Sequence, residues 1–314
     1  MASGRDEKET VSFAVSEGIA WVSFNRPEKR NCMSPKLNRR MMEVLSELEF
    51  REDVGVLILR GEGSAWSAGM DLKEYFRETE ADGLRGVRQA QSEAYGWWRR
   101  LRWYQKTTIA MVNGWCFGGG YGPLFGCDLA FCADEAQFGL SEINWGILPG
   151  GGATKVATTL MPMRTAMYHA LLGETVDGPT AARVGLVNES VPLQRLEARV
   201  TEGAHKLLQK NLVALKATKD AVRRSMEMTC DNAEDYLIRA QEAAIFTTKP
   251  RAAKKASASL STRRATNLGW ANTISRRQVR TVDAGPSVCA SGPIYFASPI
   301  RLIALTRSFC RCES

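Results

Sequence analysis

The chain has 314 residues and a mass of 34.7 kDa, with 44% hydrophobic and 24% charged residues. That is enough to bury a full core, and it excludes a disordered, collagenous or disulfide-stapled chain. The net charge of +8 invites a nucleic-acid reading, but the excess is local: residues 262–314 carry eight arginines against Asp283 and Glu313, with no lysine.

The N-terminus has no apolar leader and the C-terminus no lipidation box, so a cytoplasmic protein is expected. Residues 11–15 and 19–24 are β-rich runs separated by Ser16-Glu17-Gly18, which predicts a hairpin ended by Pro27. Leu37, Met41, Val44, Leu45 and Leu48 then follow helical spacing behind Ser34 as N-cap and Pro35 at the first helical position. A buried strand is expected over 54–59, and a polar loop leads to Ser67-Ala68-Gly69-Met70-Asp71. A long helix is expected within 83–104 and a strand over 108–112.

Residues 107–127 are uncharged, but six glycines, an Asn and a Pro make them a buried glycine-rich turn rather than a membrane span. Residues 128–133 read as strand. Beyond Gly150-Gly151-Gly152 the pattern is helical almost to Phe246, including 196–209 and 212–226. The tail after residue 261 keeps no sustained period. Strands come first and helices last, which predicts an α/β architecture. The cysteines Cys32, Cys116, Cys127, Cys132, Cys230, Cys289, Cys310 and Cys312 have no CxxC spacing, and His169 and His205 are the only histidines, so buried thiols are expected rather than zinc or disulfides.

Four segments could carry chemistry. Gly118-Gly119-Gly120-Tyr121-Gly122 follows a strand and opens a helix, where unpaired N–H groups favour a negative atom. The run also suits close packing, and Pro123 and Phe125 prevent completion of either nucleotide-loop pattern. Ala68-Gly69-Met70-Asp71-Leu72 could present a second N–H, and two such donors on one oxygen would make an oxyanion hole for a thioester enolate. In Ser141-Glu142-Ile143-Asn144-Trp145-Gly146 a single carboxylate among apolar and amide neighbours could act as general acid or base; a helix cap or surface Glu is the bland alternative. Asn25-Arg26-Pro27-Glu28-Lys29-Arg30 is a basic turn that could meet a phosphate or simply be solvated.

Taken in order, NRPEKRN, SAGMDL, AMVNGWCFGGG, SEINWGILPG and GLVNESVP resemble the crotonase (enoyl-CoA hydratase/isomerase) superfamily over about residues 11–241. SAGMDLKEYFRE, MVNGWCFGGG and SEINWGI are similar to its 4-hydroxycinnamoyl-CoA (feruloyl-CoA) hydratase-lyase subgroup. The resemblance implies a crotonase-like ββα spiral core over 1–193 and a C-terminal helical trimerisation region over 194–261, with the arginine-rich tail, 262–314, outside both.

It also implies an oxyanion hole from the Met70 and Gly119 N–H groups and a catalytic carboxylate at Glu142. Ala68 and Leu72 would hold coenzyme A, Lys29 would approach its polar end, and Tyr75 and Trp145 would line the ring pocket. The implied partners are a CoA-thioester substrate and further copies of the chain in a homotrimer or dimer of trimers. No membrane, nucleic acid or cofactor is expected, since coenzyme A is part of the substrate.

Two positions depart from the pattern. Gly122 stands where many relatives carry a second Glu, and Ile238 stands where the subgroup carries a second tyrosine. Gly122 disfavours a two-carboxylate hydratase, but Ile238 and the run Leu148-Pro149-Gly150-Gly151-Gly152, which looks closer to ordinary hydratases, make a generic enoyl-CoA hydratase or isomerase the second reading. The third is an inactive binding protein whose basic tail engages RNA or another acidic partner.

Overall fold

The structure, a computed structural model, describes residues 9–247. The tail 262–314 and the cysteines Cys289, Cys310 and Cys312 lie outside the described residues. The chain opens with β1 (Val11–Ser16) and β2 (Ile19–Phe24), paired antiparallel with Val11 opposite Phe24 and Ser16 opposite Ile19. Glu17 and Gly18 both adopt positive φ, which a two-residue hairpin turn requires for its twist to match the strands. Helix α1 (Pro35–Glu49) starts where the sequence predicts: the Leu37 N–H donates to Ser34 Oγ at 3.2 Å, and the stripe Leu37, Met41, Val44, Leu45 and Leu48 is buried.

Three repeats of strand, strand and helix follow. The first has β3 (Val56–Gly61) and β4 (Ala65–Ser67), then a π-helical turn (Leu72–Arg77), α2 (Glu78–Ala81) and α3 (Gly83–Arg102). The second has β5 (Thr107–Val112), β6 (Trp115–Phe117), a 3-10 turn (Gly118–Gly120) and α4 (Tyr121–Gly126). The third has β7 (Leu129–Ala133), β8 (Gln137–Gly139), a 3-10 turn (Ser141–Trp145) and α5 (Ala153–Leu160). The remaining elements are α6 (Met163–Leu172), β9 (Thr175–Asp177), α7 (Gly178–Arg183), β10 (Glu189–Val191), α8 (Leu193–Leu208), α9 (Leu212–Ser225) and α10 (Cys230–Thr247).

The long strands, with the short β10 at one edge, build one sheet in the order β1-β2-β3-β5-β7-β10, parallel except for β1, and the other short strands a second in the order β4-β6-β8-β9. Each repeat steps one place along both sheets, so the chain winds as a spiral with the expected C-terminal helices. Strands β3 and β5 are covered on both faces, which is why they read as nearly continuous apolar runs. Two expectations need correction. Strand β3 begins at Val56 rather than residue 54, because Val54 turns its N–H back to Arg51 O. The section beyond Gly152 is not wholly helical: β9 and β10 interrupt it, and three residues are too few to impose a period of two.

Trp66, Trp97 and Tyr104 are fully buried, and each polar tip has a partner. Trp66 Nε1–H donates to Leu59 O (3.2 Å), Trp97 Nε1–H to Asn38 Oδ1 (2.9 Å) and the Tyr104 hydroxyl to Leu45 O (2.8 Å). Cys116, Cys127 and Cys132 are buried free thiols; Cys32 is half-buried, and Cys230 is exposed at the head of α10, against expectation, because that helix lies on the surface. Among the described residues no helix is long and apolar enough to cross a membrane.

Candidate active site

The two glycine-bearing loops meet. A parallel bridge between Met33 and Met70 uses Gly69 O and Asp71 N–H, at 2.7 and 2.9 Å from Met33, so the N–H of Met70 itself faces the other way. On that side lies Gly119. A Cβ added to Gly119 would stand 3.3 Å from Met70 N and 2.8 Å from Met70 Cγ and Sδ, and one added to Gly69, whose φ is +89°, would stand 3.1 Å from Gly119 N. The Met70 and Gly119 segments thus approach more closely than a side chain at position 69 or 119 would allow, as an oxyanion hole needs.

Glu142 lies on the 3-10 turn after β8, and its carboxyl covers Gly118. A Cβ at Gly118, which has φ +48°, would lie 2.6 Å from Glu142 Oε1. Its other oxygen, Oε2, is buried with no hydrogen-bond partner among the described residues. Burial disfavours the charged form and pushes the Glu142 carboxyl above the usual range, as suits a group that both takes and returns a proton.

Beyond Met70, Asp71 caps the π-helical turn: its Oδ1 accepts from the N–H groups of Lys73 (3.0 Å) and Glu74 (2.8 Å). Burial would raise its carboxyl, but those N–H groups, the Cys32 thiol and the Arg26 guanidinium together hold it below the usual range. This turn presents Tyr75, which is 7% exposed, and no described residue partners its hydroxyl. Burial, with Tyr95 next, pushes the Tyr75 phenol up to about 12, so it stays protonated at neutral pH. Lys29 places its ammonium 2.6 Å from Glu74 Oε1, linking the basic turn to the element that carries Tyr75.

Ala68 is half-buried and tied to Arg30 O through its N–H at 2.9 Å, beside the hole. Leu72 opens the π-helical turn and is 73% exposed. Gly122 is buried in α4, where a Cβ would stand 2.6 Å from the Trp98 ring, so Trp98 fills the space of the absent side chain. Trp145 is 79% exposed at the end of its turn, and Ile238 is 56% exposed on α10, which packs along α9.

Trp98, packed against Gly122, is a residue that the motifs do not reveal. Tyr95 stacks obliquely on Trp98 with ring centroids 5.2 Å apart, and both lie within 4.0 Å of a Cβ built at Gly151. They belong to an amphipathic helix, where an aromatic reads as core. Asp71 carried a legible signal, because an Asp just before a helical run is an N-cap.

Among the described residues no three His, Cys, Asp or Glu side chains are grouped to hold a metal ion. The arrangement offers two backbone donors for a developing oxyanion and one carboxyl able to move a proton beside them. The sequence profile of the enoyl-CoA hydratase/isomerase family matches residues 14–261. A hydroxycinnamoyl-CoA hydratase-lyase of Pseudomonas fluorescens is 54% identical over 230 residues, 73% of this chain and 83% of that protein. A probable enoyl-CoA hydratase of Mycobacterium bovis is 33% identical over 221 residues, 70% and 83% of the respective chains. The crystal structure of an enoyl-CoA hydratase from Bacillus anthracis superposes with a TM-score of 0.71 at 27% identity, covering 77% of this chain and 93% of that one. This chain belongs to the enoyl-CoA hydratase/isomerase family, as a crotonase-fold enzyme of the hydratase/lyase type acting on CoA thioesters.

Proposed function

We propose that the enzyme hydrates 4-hydroxycinnamoyl-CoA thioesters, feruloyl-CoA and 4-coumaroyl-CoA, and cleaves the adduct to vanillin or 4-hydroxybenzaldehyde and acetyl-CoA, in a homotrimer or dimer of trimers. The observation that carries this reading is Tyr75, a residue only 7% exposed whose hydroxyl meets no described residue and stays accessible, on the turn that begins beside the hole donor Met70. A phenol whose ring is packed and whose hydroxyl is open can offer that hydroxyl to a ligand, and a para-hydroxyl on the substrate ring would meet it. The similarity to a hydroxycinnamoyl-CoA hydratase-lyase supports the same substrate class.

In the first half-reaction the Glu142 carboxylate takes a proton from water as the oxygen adds to the β-carbon. The displaced electron pair moves to the thioester oxygen, where the N–H groups of Met70 and Gly119 stabilise the enolate. Glu142, now protonated, returns the proton to the α-carbon. In the second half-reaction Glu142 removes the β-hydroxyl proton and the bond between α- and β-carbons breaks. The aldehyde forms, and its bonding electrons become the enolate of acetyl-CoA in the same hole, which Glu142 then protonates.

One carboxyl serves both steps because Trp98 fills the place beside Gly122 where a second could stand. Release of electrons from the para-hydroxyl stabilises positive character at the benzylic carbon, so the Tyr75 contact affects rate as well as binding. Ala68 and Leu72 would border coenzyme A, and Lys29 would meet its phosphates, exchanging Glu74 for them. Ile238 favours the second reading, a generic enoyl-CoA hydratase or isomerase. Mass spectrometry after incubation with feruloyl-CoA and with crotonyl-CoA separates the two: aldehyde and acetyl-CoA from the first are expected, while hydration of crotonyl-CoA alone would overturn the proposal.

A further inference from the structure

Glycine run and Glu142 turn are both attached to α6. On one side, His169 is a buried polar residue of that helix, 2% exposed, and its Nε2 lies 2.7 Å from the hydroxyl of Tyr121. Tyr121 is the first residue of α4, two positions past Gly119, and is fully buried. On the other side, α6 ends at Gly173, whose carbonyl accepts from Asn144 Nδ2 at 3.2 Å. A Cβ at Gly173 would stand 2.7 Å from both Asn144 Oδ1 and Ile143 Cγ2, so the helix end and the turn are in close contact. Asn144 lies two residues beyond Glu142 on that turn.

We infer that the Tyr121–His169 hydrogen bond is a positioning clamp that holds the Gly119 N–H in register with the Glu142 carboxyl. The inference rests on the reading that those two groups act on one substrate. A hydroxyl and an imidazole buried in an apolar interior are tolerated when they satisfy each other, and a directional bond fixes position more tightly than apolar contact. Burial disfavours the imidazolium, so His169 is the neutral partner. Cys116 and Glu142 are the titratable groups that face the Tyr121 phenol. His169 Nδ1 and Glu142 Oε2 are both buried without a partner among the described residues. The rings of Tyr121 and His169 are inclined by 33°, with centroids 6.0 Å apart, so their link is the hydrogen bond rather than a stack.

Tyr121→Phe removes the bond and keeps the ring. We expect kcat to fall by about 10- to 100-fold, with KM within about twofold, because a misplaced group costs transition-state rather than ground-state binding. His169→Leu should match that loss, while His169→Gln, whose amide nitrogen can reach the Nε2 position, should restore most of kcat. An unchanged kcat in Tyr121→Phe, or no recovery in folded His169→Gln, would overturn the clamp. Turnover of crotonyl-CoA is measured beside aldehyde release, so failure of the proposed substrate leaves this test standing. A further arm needs no turnover. The sequence has two histidines, so ring ¹⁵N NMR with His205→Gln for assignment isolates His169. Glu142→Gln should shift the His169 ring signals and leave those of His205 in place; an unmoved His169 would count against the link.

Discussion

Asp128 and Glu142 are both carboxylates withdrawn from water, and they are treated in opposite ways. Asp128 accepts from the N–H and hydroxyl of Thr108 at 2.9 and 3.1 Å, from Lys219 Nζ at 2.8 Å and from Arg223 Nη2 at 3.0 Å. Two of its partners also tie α9 to neighbouring backbone: Lys219 donates to Lys106 O, and Arg223 to Gly126 O and Cys127 O. Glu142 has an oxygen with no partner among the described residues, and burial holds its carboxyl above the usual range. Saturation makes the first carboxylate a structural joint. Deprivation leaves the second with its proton affinity raised and its lone pairs free for substrate.

The contrast can be broken from either side. Glu142→Ala should lower turnover by about 10²–10⁴-fold while leaving the fold intact, as steady-state kinetics and circular dichroism would read. Hydration and cleavage should fall together, and a variant that still cleaves the β-hydroxy adduct would assign that step elsewhere. Asp128→Ala should do the reverse. It leaves Lys219 and Arg223 buried without their counter-charge, at a cost of about 3–5 kcal/mol in urea unfolding, with activity per folded molecule preserved.

Smaller effects sharpen the pocket side. Tyr75→Phe should cost about 1–3 kcal/mol in kcat/KM for feruloyl-CoA and much less for unsubstituted cinnamoyl-CoA. Equal losses would make Tyr75 a packing residue. Gly122→Ser forces a Cβ against the Trp98 ring and should destabilise by about 1–3 kcal/mol in the same urea titration.

The smallest effect is electrostatic. The folded-state pKa of Glu142 is raised by burial, so below the unfolded value the carboxyl is protonated in both states and costs nothing. As pH rises from the unfolded to the folded pKa, the unfolded chain ionises first and stability drops. Glutamine does not titrate. Glu142→Gln should therefore match the wild type in Tm near about pH 3 and exceed it by about pH 7.

Much of this was legible in the residues themselves. The Ser34-Pro35 start of α1, the hairpin around Glu17-Gly18 and the apolar runs of β3 and β5 are local decisions. Capping, φ preference and burial on both faces act within a few residues, so the sequence by itself determined them. Glycine beside a strand end and a lone carboxylate are chemically conspicuous, so the segments were legible, and the resemblance to the family then singled out Met70, Gly119 and Glu142 within them.

Only the tertiary structure decided the rest. The five short strands have no readable period, and they form because the spiral places each beside its neighbour in the preceding or following turn. Gly122 reads as an absence until Trp98, 24 positions away in another helix, is seen filling it. His169 meets Tyr121 across 48 residues, and Lys219 meets Asp128 across 91. Such pairings are fixed by how helices pack on the sheets, a long-range consequence of burying apolar surface that no local pattern encodes.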